Sequence, residues 1–221
     1  STEDCRRILS RSVHFILPSL MVAIYGYADK FMLKHMLSDA DVGYYSTATA
    51  VCGMWSFVLA AIIDSVYPSI MEAYKTDHEL FEKKNRRLYA IVFYAAVSVS
   101  ALFCIFGRLI IKILYGDAYL PAVAPLRVVT WYTAFSYLGV ARNAWVVCED
   151  KQKYLKYIYI SAAVCNVILN FIFIPIWGAT GAAFTSLLTQ MIITFVVPFF
   201  MKSLRRNSLL MVEGICFKNI K

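Results

Sequence analysis

The chain has 221 residues, of which 60% are hydrophobic and only 16% charged. Soluble domains run near 45–50% apolar and about 25% charged, so a water-soluble globule of this composition would expose large apolar patches. The net charge is +8, but the basic residues cluster between long apolar runs, which points to membrane-flanking charge and away from a nucleic-acid partner.

A helix that crosses the hydrocarbon core needs roughly 20 mostly apolar residues. In chain order, such runs are predicted at 13–33, 44–71, 88–114, 122–148, 154–176 and 181–201. The fold expected is an all-α integral membrane protein, a six-transmembrane-helix bundle. It divides into an N-terminal segment (1–12), the bundle (13–201) and a basic tail (202–221). The breaks carry turn and solvent residues: KHMLSDADVG, EAYKTDHELFEKKNRR, YGDAYLP, EDKQK and PIWGATG. Connections this short make successive helices antiparallel neighbours. The sequence opens at Ser1 with no cleavable signal and reads as cut from a longer chain, or processed.

Loop charge orients the bundle. Sixteen Lys and Arg fall on one side, in the groups Arg6 to Arg11, Lys75 to Arg87, Lys151 to Lys156 and Lys202 to Lys221. Four fall on the other: Lys30, Lys34, Arg108 and Lys112. Both termini are therefore expected in the cytoplasm, as an even number of spans requires, with the bundle in a bacterial inner membrane.

Ionisable groups within spans cost a few kcal/mol each on insertion scales and need a reason. The candidates are His14, Asp29, Asp64, Arg127 and Arg142. Asp29 and Arg127 match in depth near the outer end, and Asp64 and Arg142 near the inner end, which suggests two acid–base pairs. Arg127 and Arg142 are 15 residues apart, roughly 60° apart in azimuth and about 22 Å in height. With Thr130, Ala134, Tyr137 and Ala141 they mark a stripe that could wall a polar route, with Asn143 beside it. Salt bridges that only lock the packing, and snorkelling side chains, fit the same spacing. His14 reads as an interface residue. Asn166 and Asn170, at i and i+4, suit interhelical hydrogen bonding. Tyr44, Tyr45, Tyr115, Trp131, Tyr154 and Trp177 read as interface belts.

The six cysteines, Cys5, Cys52, Cys104, Cys148, Cys165 and Cys216, form no C-x-x-C pair and read as free thiols. No nucleophile elbow, H-E-x-x-H, P-loop or Rossmann fingerprint is present, so an enzyme is not expected, and neither is a cofactor or metal.

Four stretches in order resemble one family. They are Asp29-Lys30-Phe31-Met32-Leu33; Val42-Gly43-Tyr44-Tyr45-Ser46-Thr47-Ala48; Leu114-Tyr115-Gly116-Asp117-Ala118-Tyr119 with Ala122 and Leu126; and Asn166 to Asn170 followed by Ile174-Pro175, Gly178 and Gly181-Ala182-Ala183. Together they resemble the C-terminal half of bacterial polysaccharide flippases of the O-antigen type, within the multidrug/oligosaccharidyl-lipid/polysaccharide transporter superfamily. The resemblance implies one half of a twelve-span, two-bundle transporter. Such a protein moves an undecaprenyl-pyrophosphate-linked oligosaccharide across the inner membrane by alternating access. It implies coupling to a proton or sodium gradient, for which Asp29 and Asp64 are the candidate acids. Arg127, Arg142, Asn143 and Tyr137 are the candidate substrate-path residues. The expected partners are the lipid-linked oligosaccharide, membrane lipids, glycan assembly proteins, and a first six-helix bundle or a second copy. A cation-coupled multidrug antiporter of the same superfamily is the alternative, or a non-transporting membrane partner of glycan assembly.

Overall fold

The computed structural model describes residues 27–218; these are helical almost throughout, with no strand among them. His14, Arg6, Arg7, Arg11, Cys5, Lys221 and the first part of the expected span 13–33 lie outside the described residues. The helices are α1 (27–36), α2 (Asp39–Gly53), α3 (Ser56–Thr76), α4 (His78–Tyr115), α5 (Val123–Cys148), α6 (Leu155–Met191), α7 (Val197–Phe200) and α8 (Arg205–Ile215). Short 3-10 turns precede α5 and α6, and a π-turn at Ile192–Val196 joins α6 to α7.

Local chemistry explains the boundaries. Ser38 caps α2 by accepting the Asp41 N–H, while its hydroxyl donates back to the Asp41 carboxylate at 2.6 Å. The expected span 44–71 is in fact two helices, broken at residues 54–55. There the Ser56 hydroxyl donates to the Gly53 carbonyl at 2.7 Å, and the Val58 N–H returns only three residues, to Trp55. The charged stretch after Met71, expected as a loop, closes to one non-helical residue, Asp77. Its carboxylate accepts from the Glu79 and Leu80 N–H groups and starts α4 ten residues before the expected span.

Helices α3, α4 and α5 pack antiparallel in turn. Lys84 of α4 donates back to the Ser69 carbonyl and hydroxyl of α3. Ser100 donates to the Thr130 carbonyl, and Leu126 of α5 lies over Gly107 of α4. Two larger apolar cores lie at opposite ends of the packed helices. One gathers Phe81, Leu88, Tyr89, Leu138, Trp145 and Leu210; the other gathers Leu33, Val51, Ile111, Leu126, Ile174 and Ala182.

The long helix α6 is folded back on itself. Gly178 has φ 58° and ψ −134°, a conformation that side-chain-bearing residues rarely adopt. The rings of Phe173 and Phe184 are 5.1 Å apart, whereas 11 residues of straight helix would separate them by about 16 Å. The close return requires Gly181: a Cβ there would sit 2.1 Å from the Phe173 carbonyl oxygen. PIWGATG is thus the turn of a helical hairpin, as its Pro and Gly content predicts.

The segment beyond Met201 carries a docked helix. Within α8, Asn207 donates to the Tyr89 hydroxyl at 2.6 Å, and Arg206 and Glu213 form an ion-pair cluster with Glu82 and Arg86 of α4. Among the described residues, three helical stretches, Ser56–Thr76, His78–Tyr115 and Gln152–Phe200, are long and apolar enough to cross a membrane. The molecule is a helical membrane protein.

Candidate functional site

Asp29 lies on α1 and is 4% exposed. Its carboxylate accepts from the Tyr45 hydroxyl of α2 at 2.5 Å and from the Ser186 hydroxyl on the second arm of α6. The amides of Asn166 and Asn170, on the first arm, donate to its other oxygen at 2.9 and 2.7 Å. Four donors from three helical segments thus converge on one group that, when ionised, can only accept. The hairpin makes this possible, because in a straight helix Asn170 and Ser186 would lie about 24 Å apart.

Asp29 is therefore not joined to Arg127, as matched depth suggested. Arg127 is exposed and shares a small surface cavity with Arg108 and Leu120. The second expected pair does not form either. Asp64 is exposed on α3, while Arg142 is buried and turns toward the carbonyl of Ile193. Depth along a helix axis is readable from residue count, but azimuth against the neighbouring helices is not. Tyr45, expected in an interface belt, is 4% exposed and serves the Asp29 cluster instead. The interhelical bonding expected of Asn166 and Asn170 is present, with Asp29 as its acceptor.

The stripe Thr130, Ala134 and Ala141 is buried against neighbouring helices and not open to a route. The open face of α5 is a different row, Tyr132, Ser136, Gly139 and Asn143, again at helical spacing. Three neighbouring cavities follow it. The first is bounded by Asp29, Lys30, Tyr45 and Ser186. The second opens at the α2–α3 break, between Cys52, Ser56, Thr133 and Tyr137. The third, of about 200 Å³, is lined by Arg142, Asn143, Tyr159 and Gln190. Tyr132 borders all three, so they line up as neighbours along one grooved face of α5. The carboxylate cluster stands at one end and the guanidinium at the other, the span of α5 between Val129 and Arg142 rising about 20 Å.

Of the expected site residues, Asp29, Tyr137, Arg142 and Asn143 line this groove; Arg127 and Asp64 do not. Tyr132 and Ser136 were not singled out from the sequence. The signal available was the polar and small-residue row at i, i+4, i+7 and i+11 on α5.

The π-turn has a local cause. Pro198 has no N–H to return to the Thr194 carbonyl, so the backbone widens one turn earlier. There the Ile193 carbonyl accepts from Arg142 at 3.4 Å, and the Thr194 hydroxyl donates to the Phe135 carbonyl of α5 at 3.2 Å.

Comparison with known proteins adds two similarities. A family described as "Polysaccharide biosynthesis protein" matches residues 1–124. The capsular polysaccharide biosynthesis protein CapF of Staphylococcus aureus is 21% identical over 174 residues, covering 78% of this chain and 44% of CapF. The chain thus spans less than half the length of that relative. No solved structure matches.

Proposed function

The chain belongs to the polysaccharide biosynthesis protein family, and from that premise we propose that the whole protein exports a lipid-linked oligosaccharide across the bacterial inner membrane. The single observation that carries this reading is the groove along α5. It sets polar side chains in a largely apolar surface, lies within a helical membrane protein, and runs from a buried carboxylate cluster toward a buried guanidinium.

A sugar needs hydroxyl and amide partners along its path, and flat aromatic faces beside them. Tyr132, Ser136, Tyr137, Asn143 and Tyr159 supply both, while the lipid tails remain in the bilayer. Six crossings are reached by counting the expected first span, the α2–α3 unit, α4, α5 and the two arms of the α6 hairpin. Both termini then face the cytoplasm, with this bundle as one wall of a two-bundle transporter that alternates its access. The match to 44% of CapF supports the half-transporter reading.

Asp29 is the coupling carboxylate. It ties α1 to α2 and to both arms of α6, so proton or sodium uptake there would change how three segments are held together. No catalytic chemistry is assigned to the chain.

Complementation tests the reading. A strain lacking the protein should lose surface polysaccharide and accumulate lipid-linked oligosaccharide on the cytoplasmic leaflet. Asp29→Asn should restore export to about a tenth of the parental rate or less, with normal protein levels in the membrane. Unchanged surface glycan together with altered drug sensitivity would overturn the proposal in favour of a multidrug antiporter.

A further inference from the structure

Arg142 is 3% exposed, yet among the described residues no acid lines the cavity it borders. Its hydrogen-bond partner is the Ile193 carbonyl at 3.4 Å, a long contact, and its Nε has none. A buried guanidinium without a counter-charge is costly, and an anion that enters and pairs with it recovers that cost.

The side chain folds back over Gly139. The position a Cβ would occupy there is 3.5 Å from Gln190 Nε2 and 3.9 Å from Arg142 Nη2. Two donor groups from different helices therefore face the space left by a missing side chain. Gln190 is itself 7% exposed, and its amide nitrogen is held by one bond to the Thr194 hydroxyl at 3.2 Å, which leaves its second N–H unassigned. Asn143 on the cavity wall brings a further amide. A cavity of about 200 Å³ has room for a phosphate, or for the carboxylate of a sugar ring.

We infer that Arg142, Gln190 and Asn143 form an oxyanion-binding subsite over Gly139, which takes one carboxylate or phosphate group of the cargo. The π-turn belongs to the device, since its Ile193 carbonyl accepts from the guanidinium at 3.4 Å. The inference rests on the transport reading for the identity of the cargo, but binding at the subsite is measurable without transport.

The test uses the full-length protein in nanodiscs of neutral lipid, titrated calorimetrically with sodium glucuronate, inorganic phosphate and glucose. Saturable binding of glucuronate or of phosphate is expected, with none of glucose. Glucuronate alone identifies an acidic sugar as the cargo group, and phosphate alone a phosphate. Arg142→Gln should weaken the bound oxyanion by about tenfold or more. Gly139→Ala, whose methyl meets only ordinary contacts, keeps the fold and the arginine but fills the cradle, and should weaken binding several-fold. If Arg142→Gln fails to fold, Gly139→Ala carries the test. Parental binding of neither oxyanion, or equal binding by parent and Gly139→Ala, overturns the subsite. Absent binding beside intact glycan export overturns the subsite and leaves the transport reading. Arg142-dependent binding in a protein that exports no glycan supports the subsite and overturns transport.

Discussion

At the scale of single residues, two carbonyl contacts decide most of the geometry around the site. The first is the Phe173 oxygen beneath Gly181, which sets how closely the arms of α6 approach and hence whether Asn170 and Ser186 can share Asp29. Gly181→Ala would drive a methyl carbon into a backbone atom that cannot swing aside. The expected cost is on the order of 1–3 kcal/mol, seen as a lowered thermal midpoint in detergent and a changed emission from Trp177, whose ring stacks on Phe173. A melting curve identical to the parent's would refute the close-approach account. The second is the Ile193 oxygen, exposed by the π-turn and taken by Arg142. Both depend on a residue that lacks something: a side chain at Gly181, an N–H at Pro198.

At the scale of elements, α8 shows how charge secures a docking that apolar packing begins. Leu210 and Met211 join the core beneath it, and Asn207 reaches Tyr89. Around that contact, Arg206 and Arg86 hold Glu82 and Glu213. Glu82 lies in the charged first turns of α4, before the apolar stretch that begins at Leu88. The hydrogen bond from Arg206 holds its carboxyl below the usual carboxylate range, against the upward push of partial burial, and the nearby positive charges assist. The same bond pushes the Arg206 guanidinium further up. A depressed carboxyl contributes stability above its unfolded value and loses it as pH falls through the folded value. Docking of α8 should therefore hold at neutral pH and weaken below about pH 4. Hydrogen exchange of the 205–215 amides measures this. Glu82→Gln should raise exchange at pH 7 and remove its acid dependence, and an unchanged acid profile in that variant would show that another group governs the docking.

At the scale of the whole molecule, α5 separates a packed side from an open one. Its Thr130, Ala134, Leu138 and Ala141 face other helices, while Tyr132, Ser136, Gly139 and Asn143 border the groove. Single cysteines placed along α5 in an otherwise cysteine-free protein report this division directly. Positions 132, 136 and 143 should react with aqueous thiol reagents roughly tenfold faster than 130, 134 and 141. Uniform protection around the whole circumference would mean that the groove is not a water-accessible path.

The sequence by itself determined the helical membrane character, because long apolar runs broken by short polar turns have no other comfortable solvent. It also located the hairpin turn, since Pro175, Gly178 and Gly181 interrupt a straight helix, and it paired Asn166 with Asn170 on one face. Only the tertiary structure decided partners. Residue count placed Asp29 level with Arg127 and Asp64 level with Arg142, but equal depth says nothing about rotation. The observed rotation turns Asp29 toward Tyr45, the two asparagines and Ser186, leaves Arg127 and Asp64 exposed, and buries Arg142. The break between α2 and α3, the single-residue turn at Asp77 and the docking of α8 were likewise beyond hydropathy, which measures how apolar a stretch is and not which atoms its backbone and side chains will bond.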